Sequence, residues 1–111
     1  MTLTPDGYRP RLIDERMGAM LGSFGAVSIE GARGCGKTWT ARNHANSEIG
    51  IADAEGPIPT KELVKADLRM ALRGEEPHLI DEWQGIPALW DTVRSDVDKE
   101  QKKGRYILTG S

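Results

Sequence analysis

Only one cysteine, Cys35, and one phenylalanine occur in the 111 residues. A lone cysteine excludes an intramolecular disulfide and suits a reducing compartment. Long hydrophobic runs are missing as well, the longest being a few residues where a membrane-spanning helix needs about 20. The opening Met1-Thr-Leu-Thr-Pro-Asp6 has neither the basic nor the apolar region of a signal peptide. A cytoplasmic location is expected. Charge of one sign is not in excess, since 15 basic and 17 acidic side chains leave a formal net charge of −2. Such a balance offers no global attraction to nucleic acid or to an anionic membrane, and neither is expected as a partner. Internal repeats and low-complexity stretches are also absent.

What remains is an ordinary globular composition, 38% apolar and 29% charged. A chain of this length holds one small domain that buries about two-thirds of its unfolded surface. Within it, one stretch carries most of the information. Gly31, Ala32, Arg33, Gly34, Cys35, Gly36, Lys37 and Thr38 have the form G-x-x-x-x-G-K-T, directly after the apolar run Ala26-Val-Ser-Ile29. This spacing places the stretch between a strand and a helix. Such a loop leaves successive backbone N–H groups free to wrap a phosphate chain, and the following helix aims its positive dipole end at the same point. Lys37 is expected to reach the β- and γ-phosphates, and Thr38 to bind the magnesium ion they carry. Cys35, at a helix N-terminus, is expected to have a stabilised thiolate.

Residues 1–11, with Pro5, Gly7 and Pro10, read as an extended arm. Apolar spacing predicts a helix over residues 12–21, and Ala26 to Glu30 suits a strand buried on both faces. A second helix is expected from Lys37 to about Asn46, and a weak strand over residues 49–52. Thr60 reads as the N-cap of a helix from Lys61 to about Leu72. A brief strand, His78-Leu-Ile80, ends in Asp81-Glu82. Pro87 opens the best helix, in which Leu89, Trp90, Val93 and Val97 form a stripe and Gly104 is the stop. Lys99, Lys102, Lys103 and Arg105 read as its solvated, dipole-complementing end. Tyr106 to Thr109 is the last strand. The alternation implies right-handed crossovers and a mostly parallel α/β sheet flanked by helices, with about four strands.

A phosphate cradle alone fits a kinase, a GTPase or an ATPase, and the acidic pair narrows the choice. An Asp at the carboxyl end of a buried strand, Asp81, can hold the magnesium shared with Thr38. Because side chains alternate along a strand, Glu82 is expected to point elsewhere, at a water in line with the γ-phosphate, where a base contributes roughly 10²–10⁴ in rate. The D-x-x-G pattern of Asp53-Ala-Glu-Gly56 reads as coincidence, because no N-K-x-D motif accompanies it. His44 and His78 lack metal-ligand spacing, and the three tryptophans read as packing residues.

The cradle, Leu79-Ile-Asp-Glu82, Asp81-Glu-Trp-Gln84 and the ending Ile107-Leu-Thr-Gly-Ser111, with Tyr8-Arg-Pro-Arg-Leu-Ile13 at the start, together resemble a family. It is the AAA-type P-loop ATPase domain of bacterial and archaeal proteins that carry a C-terminal domain of unknown function. The resemblance covers nearly all of the chain and implies a P-loop NTPase-like (ASCE) sheet whose last strand inserts between the first and the Asp81 strand. It implies ATP and Mg²⁺ as cofactors, residues 12–111 as part of an ATP-binding domain, and a polar sensor of the γ-phosphate at Ser111 or Thr109. A fifth strand, a helical lid, a second sensor and an arginine finger have no residues within these 111, so nucleotide binding with slow hydrolysis is the expectation. The first strand is then expected at a sheet edge, which favours homo-oligomers or docking of a further domain. A nucleotide-dependent switch without turnover and a small-molecule P-loop kinase are the alternative readings.

Overall fold

The computed structural model of the chain describes residues 12–30, 37–52 and 58–110, with side chains at 12–15, 30 and 37–39 outside the description. The expected arm over 1–11, the loop residues 31–36, the Asp53-Ala-Glu-Gly56 pattern and Ser111 lie outside the described residues.

In chain order the elements are α1 (Leu12–Leu21), β1 (Ala26–Glu30), α2 (Lys37–His44), β2 (Ser47–Gly50), α3 (Thr60–Ala66), β3 (His78–Asp81), α4 (Ala88–Glu100) and β4 (Tyr106–Gly110), with 3₁₀ turns at Leu68–Leu72 and Trp83–Gly85. The strands form one sheet in the order β1-β4-β3-β2, and every pairing is parallel. This is the α/β, P-loop NTPase-like architecture expected of the sequence, and β4 does insert between β1 and β3. No helix among the described residues is long and apolar enough to cross a membrane.

Alternation along the buried strands feeds two apolar layers. Leu79 and Ile107 face Met17 of α1 and Ala41 of α2, together with Ala45 just beyond α2. Ile80, Tyr106 and Leu108 face the other way, onto Val64 of α3, Ala71, and Leu89 and Val93 of α4. Both faces are therefore covered, which is why β3 and β4 read as continuous apolar runs. Strand β1 lies at one edge. Between it and α4 runs an apolar groove of about 250 Å³, with the exposed Phe24 and Trp90 among its lining residues.

Several boundaries differ from the sequence reading. The helix expected over 61–72 breaks at Asp67, which is extended (φ −148°, ψ 97°) and whose carboxylate accepts the Arg69 N–H at 3.2 Å. A short polar side chain has offered the backbone an alternative to the helix. Thr60 is the first helical residue, and Pro59 holds the N-cap position without a side-chain hydrogen bond. Helix α4 stops at Glu100 instead of Gly104, because Gln101 turns left-handed (φ 49°) and its N–H closes on the Val97 carbonyl at 2.8 Å. Gly104, at φ +68°, serves the next turn and donates its N–H to the Phe24 carbonyl.

The largest difference concerns Arg105, expected in the solvated helix end. Its side chain is only 10% exposed and is held by Glu76 (2.8 Å) and Asp96 (2.7 Å). Tyr106 donates its hydroxyl proton to Asp96 at 2.5 Å, and Lys102 meets Glu76 at 3.0 Å. The sequence places Arg105 next to three lysines, but the turn at Gly104 carries it past the helix end to the start of β4, between Glu76 and Asp96.

His78 opens β3 and is buried, 2% exposed. Its Nε2 donates to the Ala71 carbonyl (2.8 Å), leaving Nδ1 to face the Ser47 hydroxyl at 2.6 Å. Burial lowers its pKa below the ordinary 6.5, against the opposing effect of the Ala71 hydrogen bond. Below that value the unfolded chain binds a proton that the folded chain resists, so stability is complete above about pH 6.5 and declines as pH falls below it. Urea midpoints measured between pH 5.5 and 7.5 should rise with pH, and the slope should flatten in His78→Asn.

Candidate functional site

The register brings three strand ends together. Glu30 of β1 pairs with Gly110 of β4, and Thr109 of β4 pairs with Asp81 of β3. In open parallel sheets, ligands bind outside the carboxyl ends of the strands. From the end of β1 the chain passes through residues 31–36 and re-enters the described structure at Lys37, the first residue of α2, with Thr38 second. Both ends of the predicted cradle are thus placed as a strand-loop-helix connection requires, although the strand, expected to be buried on both faces, is a partly buried edge strand.

Asp81 is partly buried at the tip of β3, and the Thr109 hydroxyl donates to its Oδ1 at 2.5 Å. The carboxylate is steadied by a neutral donor and makes no ion pair among the described residues. Hard anionic oxygen of this kind suits magnesium. Thr109, the second choice for a sensor, is fully buried and has its hydroxyl proton on Asp81.

Glu82 lies beyond the strand and not within it. It adopts a left-handed conformation (φ 59°, ψ 46°), and its N–H donates to the Thr109 carbonyl at 2.7 Å. Its direction is therefore set by that turn, and the alternation argument made from the sequence does not apply to it. A non-glycine residue held in this region costs on the order of 1–3 kcal/mol, a strain that clusters at functional sites.

In the segment after Glu82, sequence reasoning gave a role only to Trp83, as a packing residue. Trp83 packs on Trp90 of α4, with ring centroids 5.0 Å apart and planes tilted by 40°. Gly85 sits against Ile51 just beyond β2, and the Gln84 side chain lies over Gly110 of β4. The turn thus crosses the carboxyl ends of the strands. The only sequence signal for it was the run Asp81-Glu-Trp-Gln84, which carried the family resemblance without a physical reason. On the β2 side of Asp81, a cleft of about 470 Å³ is lined by Arg42, Glu48, Gly50 and Thr60 among others. Arg42 and Glu48 pair across it at 3.0 Å.

A family model described as an AAA domain matches residues 23–111, nearly the whole described structure. The chain belongs to the AAA domain family. No curated protein and no solved structure matches the chain. Membership carries a nucleotide-binding, ATPase-type function in general terms. In this AAA domain the matched span opens at Ser23, so β1, both ends of the loop connection, Asp81 and β4 all fall inside it, whereas α1 precedes it.

Proposed function

We propose that this AAA domain binds Mg·ATP at the carboxyl ends of β1, β4 and β3, and hydrolyses it there. The observation that carries the reading is Asp81. It ends β3, with β4 alone between it and the β1 end that enters the phosphate loop, and a buried threonine hydroxyl holds it in place. The backbone of Gly31, Ala32, Arg33, Gly34, Cys35 and Gly36 wraps the phosphates, and Lys37 neutralises their charge. Thr38 and Asp81 would hold Mg²⁺, which when bound offsets the negative charge on the β- and γ-phosphate oxygens. Glu82 takes a proton from the attacking water. Its left-handed backbone takes it out of the pleat of β3. Ser111 or Thr109 positions the γ-phosphate, Thr109 acting through Asp81.

Turnover by wild type and by Glu82→Gln separates hydrolysis from binding alone. The variant should bind Mg·ATP within about twofold of wild type and release phosphate at roughly 10²-fold lower rate or less, the scale of a lost general base. Equal, negligible phosphate release from both proteins with binding retained would leave a nucleotide-dependent switch as the function of this chain. A phosphorylated acceptor in place of free phosphate would make it a kinase.

A further inference from the structure

We propose that the open edge of β1, with the groove between it and α4, is a two-fold interface with a second copy of this chain, in which the two β1 strands pair antiparallel about Ser28. The proposal goes beyond the Mg·ATP reading and does not depend on it.

The backbone of β1 supplies the first observation. The Gly25 carbonyl accepts the Tyr106 N–H, so in the parallel register of β1 on β4 the residues directed at β4 are Gly25, Val27 and Ile29. Ala26 and Ser28 turn their N–H and C=O groups the other way, where no strand lies among the described residues. Such an edge is a template for a further strand, and β1 carries neither the proline nor the lysine that commonly blunts one. Ser28 supplies the second. It is the middle residue of β1, it lines the groove, and its buried Oγ has no hydrogen-bond partner among the described residues. A buried hydroxyl left unpaired is costly. A two-fold axis at Ser28 sets it opposite its own copy as a hydrogen-bonded antiparallel pair, with Ala26 opposite the copy's Glu30. The whole of β1 is then paired, and each Ser28 hydroxyl meets the other across the strands.

The third observation is charge, and it selects a second copy as the occupant. Phe24 and Trp90, 58% and 42% exposed, leave apolar surface at the groove that a partner must cover. Beside it α4 exposes Asp91, Arg94 and Asp98, and none of the three forms an ion pair among the described residues. The arginine thus stands with an acid about one turn away on either side. Pairing β1 about a two-fold axis brings α4 and its copy onto the same face of the joined sheet, running antiparallel. Arg94 then meets Asp91 or Asp98 of the copy, and the contact repeats itself by symmetry. Signs that alternate along one helix complement themselves when that helix is reversed, as a self-complementary patch requires.

Sedimentation equilibrium of the full chain, over roughly 1–100 μM without nucleotide, tests this in wild type, in Phe24→Lys, in Arg94→Glu, and in a charge-swapped variant with Arg94→Glu, Asp91→Arg and Asp98→Arg together. All four positions are exposed, so the variants should fold, and melting curves check that they do. Wild type is expected to form dimers and nothing larger, because a two-fold contact closes on itself. Phe24→Lys and Arg94→Glu should each weaken the dimer about tenfold or more, and the charge swap should bring it back to within about threefold of wild type. In the dimer the Ser28 amide, directed out of the sheet edge, should exchange its hydrogen about tenfold more slowly than in Phe24→Lys. A wild type that stays monomeric throughout overturns the proposal and leaves the edge to another occupant. Species that grow beyond the dimer, a dimer indifferent to Phe24→Lys and Arg94→Glu, a charge swap that fails to restore it, or an unprotected Ser28 amide would each overturn it as well.

Discussion

Lys37→Ala is expected to abolish the thermal stabilisation that Mg·ATP confers on the AAA domain. Ligand at about 100 times its Kd stabilises a native state by about 2.7 kcal/mol. For a domain of this size each kcal/mol moves the melting temperature by about 4–8 °C, so wild type should gain on the order of 10 °C. Lys37 is the first residue of α2, at the point where the chain returns from the loop that leaves β1. In a loop of this form the lysine ammonium is the group expected against the β- and γ-phosphates. Alanine is the best helix former, so the unliganded variant should melt within a few degrees of wild type. Scanning fluorimetry with and without Mg·ATP checks both halves. A variant that retains the wild-type shift would move the phosphate site elsewhere.

Arg105→Met should destabilise the domain by about 1–3 kcal/mol or more, because it strips a buried cation from two partly buried carboxylates instead of removing an exposed ion pair. Arg105 is 10% exposed and Asp96 19%, and Glu76 is 26% exposed with Lys102 as its remaining cation. Methionine fills much of the alkyl volume, so the loss is chiefly electrostatic. Urea unfolding at pH 7 measures it. A change below about 1 kcal/mol would mean that the network behaves as a surface ion pair.

The same carboxylates predict the acid limit. Asp96 is held below its ordinary pKa first by the Tyr106 hydrogen bond and then by Arg105, against burial. For Glu76, burial pushes upward and is outweighed by Arg105 and Lys102, which leaves the pKa lowered. Depressed folded values mean that the unfolded chain binds more protons in acid. This stability is complete above the ordinary carboxylate range and is lost as pH falls through the folded values. Wild type should weaken steeply below about pH 4, and Arg105→Met less so.

The proposed site could be read from the sequence because its chemistry is local. The spacing of Gly31, Gly36, Lys37 and Thr38 behind an apolar run needs only a strand and a helix on either side, and β1 and α2 supply them. Asp81 was legible for the same reason, as an acid closing a short apolar strand. Glu82 was harder. A pleat argument assumes that the strand continues, and the left-handed backbone of Glu82 ends it, although its N–H still reaches across to the Thr109 carbonyl of the neighbouring strand. Helix boundaries at Asp67 and Gln101 were misjudged where a side-chain cap or a left-handed residue overrode apolar spacing.

By itself, then, the sequence determined the alternation of strands and helices and offered a candidate phosphate loop with an acidic companion, whereas the burial on both faces that it assigned to β1 belongs in the structure to β3 and β4. The alternation and the loop depend on residues near one another in the chain. Only the tertiary structure decided that Thr109 is spent on Asp81, that Arg105 is buried between Glu76 and Asp96, and that Gln84 lies over Gly110. In each of these the partners are separated by many residues, or packing reverses what the nearby residues suggest. Only the insertion of β4 between β1 and β3 was expected, from resemblance alone, and it is this insertion that sets the strand ends side by side. Hydrogen bonding between strands and burial of apolar faces choose such neighbours, and neither can be read from spacing along one chain.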